Sequence, residues 1–237
     1  MNIALIGYGK MGHEIERIAL ERGHTIVSTI DINNPEEFDS EKFHTAEVVI
    51  EFTRPETALD NYRKCFEAGL PVVSGTTGWL EHMDEVKAAC EKGQTFFYAS
   101  NYSLGVNLFF AINKKLAEMM NPFPIYNVRI KEVHHTQKLD APSGTAITLA
   151  EDILERLDRK NVWVKETQKT PEELAIASER TGQVPGFHEV TYESDVDIIT
   201  ISHDTKSRAG LALGAVLAAE YTVGKKGFLG MSDLLGF

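Results

Sequence analysis

Apolar and polar positions follow two alternating rhythms over the first hundred residues. Short apolar runs such as residues 2–7 (NIALIG) and 46–52 (AEVVIEF) are typical of buried strands. Residues 13–23 and 55–69 instead carry apolar side chains at helical spacing, and each of these stretches ends on glycine. A strand followed repeatedly by a helix predicts an α/β fold, a Rossmann-type doubly wound parallel sheet.

The pattern changes after Asn101, where longer elements and alternating strands replace the earlier rhythm. The predicted elements are a helix over about 104–120, a half-exposed strand over 125–135, a helix over about 143–157, a polar connection over 158–174, an antiparallel strand pair over 186–194 and 196–204, and a last helix over 207–224. We expect a second α+β domain with a mixed or antiparallel sheet at 102–207. The last helix returns to the first domain, which we place at 1–101 plus 208–237.

Composition narrows the class of protein. With 43% hydrophobic and 25% charged residues, the 237-residue chain is typical of globular proteins. A net charge of −11 argues against nucleic-acid or membrane-surface binding, so any bound anion needs a local positive site. Two cysteines without a CxxC pair, and apolar runs too short for a signal peptide or a bilayer span, predict a cytoplasmic protein.

A glycine-rich loop, GYGKMG at residues 7–12, lies between the first strand and the first helix. Gly7, Gly9 and Gly12 match G-x-G-x-x-G in the context that a dinucleotide site requires, with the pyrophosphate on the helix N-terminus. Asp31 ends the next strand, where a carboxylate accepts hydrogen bonds from the adenosine ribose. Asp31 also repels a 2′-phosphate, whereas Lys10 could reach one. We therefore expect NADH, NADPH or both, and favour NADH.

Two later strand ends point to the same crevice. The segments FTRPE, from Phe52, and GTTG, from Gly75, follow predicted parallel strands, whose carboxyl ends face the ligand in this fold. Each segment taken alone is equally consistent with an ordinary strand-to-helix turn.

A cluster of titratable residues precedes the helix predicted from about residue 143. The stretch HHTQKLDAPSGTA (134–146) places Pro142 in the first turn, with Asp140 or Ser143 as the N-cap. Free N–H groups of Ser143, Gly144 and Thr145 would then bind an anion such as a carboxylate, with charge added by His135 and Lys138.

His134 is the stronger candidate for a general acid, because histidine titrates near neutral pH. The alternative is one core and one solvated histidine beside a solvated lysine. We expect no metal, because neighbouring strand side chains point to opposite faces and no carboxylate or cysteine is suitably spaced. A serine hydrolase is disfavoured because G-x-S-x-G is absent.

The segment HHTQKLDAPSGTA resembles the signature of the dihydrodipicolinate reductase (4-hydroxy-tetrahydrodipicolinate reductase) family. GYGKMG resembles the family's glycine loop, EFTRPE and GTTG its nicotinamide-side loops, and ASNYSLGVN its hinge; SERTGQVPGFHEV and ISHDTKSRAGLALGA resemble downstream segments. The resemblance implies NAD(P)H-dependent reduction of the cyclic imine product of dihydrodipicolinate synthase to tetrahydrodipicolinate, in lysine biosynthesis through diaminopimelate. It also implies a homotetramer built by the second domain's sheet.

The resemblance further implies roles for individual residues. His134 would protonate the reduced substrate, and Lys138 would assist it electrostatically. The expected substrate-binding set is His135, Lys138, Ser143, Gly144, Thr145 and Thr77, with Thr77 between nicotinamide and substrate. The expected cofactor-binding set is Gly7, Gly9, Lys10, Met11, Gly12, Asp31, Phe52, Thr53, Gly75, Thr76, Thr77, Ala99, Asn101 and Tyr102. The alternatives are another two-domain NAD(P)-dependent dehydrogenase, which has no reason to carry the HH…SGTA segment, and a nicotinamide sensor without chemistry.

Overall fold

In the computed structural model, which describes residues 1–207 and 209–237, the chain divides into two units. The first comprises Met1–Leu104 and Ala209–Phe237, and the second is Gly105–Arg208. Within the described residues the strands are β1 Asn2–Ile6, β2 Thr25–Ile30, β3 Val48–Glu51, β4 Val72–Ser74, β5 Thr95–Tyr98, β6 Asn127–His134, β7 Val162–Lys165, β8 Glu173–Arg180, β9 Phe187–Glu193, β10 Ile198–Asp204 and β11 Gly227–Leu229. The α-helices are α1 Lys10–Glu21, α2 Glu41–His44, α3 Pro55–Glu67, α4 Met83–Glu91, α5 Leu104–Met120, α6 Gly144–Leu154, α7 Ala209–Thr222 and α8 Met231–Leu235.

The described part of the first unit is built on a parallel sheet of six strands in the order β11-β5-β4-β3-β1-β2. All four residues of β3 are buried, as a central parallel strand covered on both faces requires. The helix α7 packs against α1 and is apolar almost throughout, with close approach at Gly214, where a Cβ would lie 1.7 Å from the Tyr102 carbonyl oxygen. The predicted fold class is confirmed.

The second unit carries a mixed sheet in the order β10-β9-β6-β8-β7. The pairs β10–β9 and β9–β6 are antiparallel, whereas β6–β8 and β8–β7 are parallel. Val128 and Ile130 of β6 join Phe109 of α5 and Leu149 of α6 in one buried cluster. The side chains of β6 are alternately buried, so that Glu132 and His134 lie on this same buried face.

One expectation from the sequence is wrong, and further elements were not predicted. The supposed polar connection at 158–174 contains β7 (VWVK), a short edge strand whose first and last residues are exposed. The strand β8 and the elements β11 and α8 lie where the sequence predicted no element, and β11 adds an edge strand to the first sheet. By contrast, the antiparallel pair β9–β10 and the helix α6 occur where they were predicted. No helix among the described residues combines the length and apolarity needed to cross a membrane.

Candidate active site

The glycine loop (residues 7–12) packs so tightly that Gly7 and Gly12 leave no room for a side chain. Gly7 has φ +91°, and a Cβ there would lie 2.0 Å from the Phe52 carbonyl oxygen; at Gly12 it would lie 2.4 Å from the oxygen of Gly7. A Cβ at Gly9, which caps α1, would meet nothing within 4 Å. The space in front of the α1 N-terminus is therefore open to an anion, and this first turn holds no acidic side chain.

Asp31 lies next to this loop at the end of β2. The Gly7 N–H donates to the Ile30 carbonyl at 2.8 Å, which ties the loop to the strand end. Asp31 is exposed, its Oδ1 accepts from the Ile32 N–H at 2.7 Å, and its own N–H donates to Asn34 Oδ1 at 2.7 Å. These contacts fix the backbone around the carboxylate while leaving it at the surface, where a ribose could reach it.

The ends of β3 and β4 are joined through the carboxyl group of Glu51, which is fully buried. It accepts hydrogen bonds from Thr53 Oγ1, from Ser74 Oγ at 2.8 Å, and from Thr76 Oγ1 at 2.9 and 3.0 Å. Burial raises the pKa of Glu51, and the hydroxyl donors oppose this rise. Because the Thr53 N–H also donates to Thr76 Oγ1 at 2.8 Å, both loops are fixed to each other.

The predicted nicotinamide-side residues of the first unit lie around this pair of loops. A Cβ on Gly75 would lie 2.1 Å from the Phe52 ring, whose centroid is 5.6 Å from that of Tyr102. The Tyr102 hydroxyl donates to the Ser74 carbonyl at 2.6 Å. Thr77 is exposed beside buried Thr76, and the Asn101 side chain accepts from the Ser103 N–H. The structure thus brings the predicted cofactor residues to one end of this sheet.

In the second unit, the His134 imidazole contacts the carboxylate of Glu132. The two residues are two positions apart on β6, and His134 Nδ1 contacts Glu132 Oε2. The other carboxylate oxygen of Glu132 accepts from Arg180 Nη2 at 2.9 Å and from the Ser143 N–H at 3.3 Å. Arg180 also donates to the Asp140 carbonyl at 2.6 Å. Glu132 thereby links β6, β8 and the start of α6.

Burial and the neighbouring polar groups both shift the pKa values of this pair. Burial alone would raise the pKa of the Glu132 carboxyl, but the Arg180 guanidinium, the Ser178 hydroxyl and the His134 imidazole together outweigh it, so the pKa lies below its usual value. Burial lowers the pKa of His134; Glu132 opposes this, whereas Lys138 and Arg180 reinforce it. Glu132 is therefore an anion at neutral pH, and His134 becomes easier to protonate when a further anion approaches.

Ser143 is the N-cap of α6, which settles the choice left open by the sequence. Its Oγ accepts from the Ala146 N–H at 3.2 Å and lies 3.0 Å from His188 Nε2. Since the Ser143 N–H is bound to Glu132, the expectation that this group is free for an anion is wrong. Gly144 is exposed at the helix start, and a Cβ there would meet nothing within 4 Å. Space for a ligand therefore exists at Gly144 and the neighbouring, half-buried Thr145.

Lys138 and His135 lie in the turn that follows β6. The Lys138 N–H donates to the His135 carbonyl at 3.1 Å, and Lys138 Nζ lies 2.8 Å from Asp140 Oδ1. Lys138 is half-buried, Asp140 is exposed, and His135 is half-buried. Among the described residues, the cation of Lys138 is therefore paired with a carboxylate that water also reaches.

Glu132, His134 and His188 bring three metal-binding atoms within 4.8 Å of one another. The sequence-based statement that no carboxylate is suitably spaced is therefore wrong, since Glu132 lies two positions before His134 on the same strand face. Arg180 nevertheless donates to Glu132, and a cation beside that guanidinium would be repelled. Burial lowers the pKa of His188 to about 4, so His188 is neutral here. The contact of Arg180 with Glu132 is therefore the feature that argues against a metal ion at this cluster.

The site residues predicted from the sequence did not include Glu51, Glu132, Arg180 or His188. Glu132 was recoverable from the alternation of β6, which places i and i+2 on one face. Arg180 and His188 come from β8 and β9, 48 residues from Glu132 and 45 residues from Ser143, and only the strand register brings them in.

Comparison with known proteins gives consistent matches over both units. A family described as dihydrodipicolinate reductase, N-terminus, matches residues 1–102, and dihydrodipicolinate reductase, C-terminus, matches residues 105–235. The chain is 49% identical to the 4-hydroxy-tetrahydrodipicolinate reductase of Christiangramia forsetii, over 99% of this chain and 98% of that protein. It is 34% identical to the enzyme of that name from Neisseria gonorrhoeae, over 93% and 84% of the two chains.

A solved structure also resembles the chain. A dipicolinate-bound dihydrodipicolinate reductase from Paenisporosarcina sp. TG-14 has a TM-score of 0.75 and covers 97% of both chains. Because the two sequences are only 21% identical, this likeness shows the fold alone.

Proposed function

The chain belongs to the dihydrodipicolinate reductase family, and we propose that its two units carry out the family's reaction with the residues described above. The chain is accordingly an NAD(P)H-dependent oxidoreductase. Its substrate is the dicarboxylate cyclic imine made by dihydrodipicolinate synthase, which is reduced to tetrahydrodipicolinate in lysine biosynthesis through diaminopimelate. The observation that carries this proposal is His134, held on a buried strand face by Glu132 beside the N-terminus of α6.

We assign the cofactor to the first unit. The positive φ of Gly7 and the open face at Gly9 fit a pyrophosphate held by the N–H groups of Lys10, Met11 and Gly12. Asp31 would accept from the adenosine ribose and repel a 2′-phosphate, so NADH is favoured over NADPH. The residues assigned to the nicotinamide side are Phe52, Thr53, Gly75, Thr76, Thr77, Ala99, Asn101 and Tyr102. When bound, NAD(P)H supplies the hydride.

We assign the dicarboxylate substrate to the second unit, with one further contact from Thr77. The N–H groups of Gly144 and Thr145, together with His135 and Lys138, would hold one carboxylate, while Ser143 orients the helix start. His134 would donate a proton from Nε2 to the reduced substrate. A carboxylate held nearby also favours the protonated imidazole, which suits a histidine whose pKa is low in the free protein.

We also propose a cytoplasmic homotetramer assembled through the sheet of the second unit. In the edge strand β10, Ile198 and Ile199 are 58% and 38% exposed. Apolar side chains at this level of exposure on an edge strand are suited to burial by another subunit. Light scattering on the purified protein tests the subunit number, and a monomer would contradict this part of the proposal.

The reaction is tested with NADH and NADPH oxidation, with the imine generated in situ by dihydrodipicolinate synthase. His134→Ala should lower kcat about a hundredfold or more, because general acids contribute about 10²–10⁴-fold. Lys138→Ala should raise KM for the imine and also lower kcat, because Lys138 is proposed both to hold the carboxylate and to assist His134. His82→Ala, which removes an exposed histidine from the first unit, is the matched control and should leave both constants unchanged.

Cofactor binding, measured by NADH fluorescence, should persist in all three variants. Substrate-dependent oxidation that is absent from a folded, NADH-binding wild type would contradict the proposed reaction. Full turnover by His134→Ala would contradict the proton donor alone.

A further inference from the structure

We propose that Glu132 is a positioning residue that fixes the orientation, tautomer and charge of the His134 imidazole, and that Arg180 holds Glu132 in place for this task. The inference rests on the proposed function only in taking His134 as the proton donor. The contacts that support it all lie within the second unit.

The geometry leaves one nitrogen of His134 for chemistry. Because the Glu132 carboxylate can only accept, its contact with Nδ1 requires the hydrogen on Nδ1. Nε2 is then the atom that takes up and gives away the mobile proton. Gly186 keeps that atom accessible: a Cβ at this position would lie 3.1 Å from His134 Nε2. A side chain at residue 186 would crowd the donor atom.

Glu132 itself is fully constrained. Its side chain is 0% exposed, and both oxygens are engaged, one by His134 and the other by Arg180 and the Ser143 N–H. Anchors from β8 and from the start of α6 fix the carboxylate, so that the imidazole has one preferred ring orientation. Pre-orientation of this kind is what a proton donor needs, because a misplaced donor loses much of its effect.

Glu132 supplies the negative charge among the groups that face His134. The others are Arg180 on β8, His188 on β9 and Lys138 in the turn after β6, and the two cations lower the pKa of His134. The rings of His134 and His188 are 5.0 Å apart, and neutral His188 adds no negative charge. Removal of the Glu132 charge therefore leaves burial and two cations, all of which favour the neutral imidazole.

A purely structural role for Glu132 makes a different prediction. If Glu132 only joined β6 to α6, its loss would lower activity equally at every pH. If it holds the proton donor, its loss moves the pKa of His134 downward, and the loss of kcat grows with pH. A fall of about one pKa unit reduces the protonated fraction about tenfold at pH values above both pKa values.

The experiment compares Glu132→Gln, which keeps shape but not charge, with Glu132→Asp, which keeps charge but shortens the reach. Glu179→Gln is the control, because this exposed carboxylate on β8 pairs with Lys131. The pKa of the His134 imidazole is measured by NMR in the substrate-free protein, and kcat is measured from pH 5.5 to 9. We expect the pKa and the basic limb of kcat to shift to lower pH by about one unit in E132Q, less in E132D, and not in E179Q.

An unchanged His134 titration in folded E132Q, or a loss of kcat that is uniform across pH, would overturn the proposal. The wild type gives an independent measurement through the imidazole ¹⁵N shifts. Neutral His134 should carry its hydrogen on Nδ1, and the opposite tautomer would overturn the proposal even if E132Q fails to fold. Turnover by His134→Ala would instead refute the proton donor, while the NMR titration would still report the Glu132–His134 coupling.

Discussion

Replacement of Glu51 tests whether one buried carboxyl group holds the loops assigned to the nicotinamide. Glu51→Ala removes the acceptor shared by Thr53, Ser74 and Thr76 and leaves a cavity at the ends of β3 and β4. Glu51→Gln keeps the shape and one acceptor oxygen, and its amide nitrogen donates where the second oxygen accepted. The two variants therefore separate the shared hydrogen bonds from the negative charge.

The magnitude follows from the three hydroxyl donors. A buried donor without a partner costs about 1–3 kcal/mol, and hydroxyl groups recover part of this by rotation. The lost charge offsets some of the cost, because burial disfavours the carboxylate and raises the pKa of Glu51. We expect the free energy of unfolding to fall by about 2–5 kcal/mol in Glu51→Ala and by about 1 kcal/mol in Glu51→Gln.

The pH dependence has a definite sign. The folded-state pKa of Glu51 is raised above its ordinary value of 4.5, mainly by burial. The stability contributed by this group is therefore fully present below pH 4.5 and is lost as the pH rises through the folded-state pKa. The wild type should lose stability over this window, and Glu51→Gln should lose less of it.

Urea unfolding gives the stabilities, and fluorescence titration gives the dissociation constant for NADH. Both variants should bind NADH more weakly, Glu51→Ala most, because the loops that carry Thr53 and Thr76 lose their common anchor. Glu67→Ala, which removes an exposed carboxylate from the end of α3, is the control. Wild-type stability and NADH affinity in Glu51→Ala would refute the reasoning, as would equal losses in the two Glu51 variants.

Three further changes have expected outcomes. Gly7→Ala should lower the free energy of unfolding in urea by about 3 kcal/mol or more, because φ +91° and the Phe52 oxygen both exclude a side chain. Gly9→Ala should weaken NADH binding without loss of stability, and equal stability losses in the two variants would contradict this. Asp31→Ser should raise kcat/KM for NADPH relative to NADH about tenfold, and an unchanged ratio would remove Asp31 from cofactor selection. Because the pKa of His188 is lowered, the free energy of unfolding should fall by up to about 3 kcal/mol as the pH drops from 6.5 to about 4. In His188→Gln the melting temperature should depend less on pH over this range, and an unchanged pH dependence would contradict the reasoning.

The fold of the first unit was predictable because its determinants are local. The strands β1 to β5 are short apolar runs, the longer helices have their own periodicity, and the glycine loop is required by a backbone path between neighbouring elements. The strands β7, β8 and β11 were not predicted from the sequence. The edge strands β7 and β11 have only four and three residues and are only partly buried, and in β8 the large apolar residues are only Leu174 and Ile176.

The residues of the candidate site likewise differ in whether the sequence predicts them. His134, Lys138 and the start of α6 lie within one short segment, so their association could be inferred from spacing. Arg180 and His188 depend on the register of three strands, which pairs His134 with Arg180 and Glu132 with His188. Sequence alone cannot fix this register, because a shift by one residue would turn every side chain to the opposite face.

Lys138 and Arg180, the two cations that act on His134, differ in what a substrate carboxylate could displace. Arg180 is bound to fully buried Glu132, and separation of a buried pair leaves an uncompensated charge, at a cost of about 3–5 kcal/mol. Lys138 is paired with exposed Asp140, and such surface pairs contribute about 0–1 kcal/mol. A substrate carboxylate can therefore take Lys138 from Asp140 at little cost but cannot take Arg180 from Glu132. In the proposed function, Lys138 is accordingly the cation available to the anionic substrate, and Arg180 holds the Glu132 carboxylate beside the proposed proton donor.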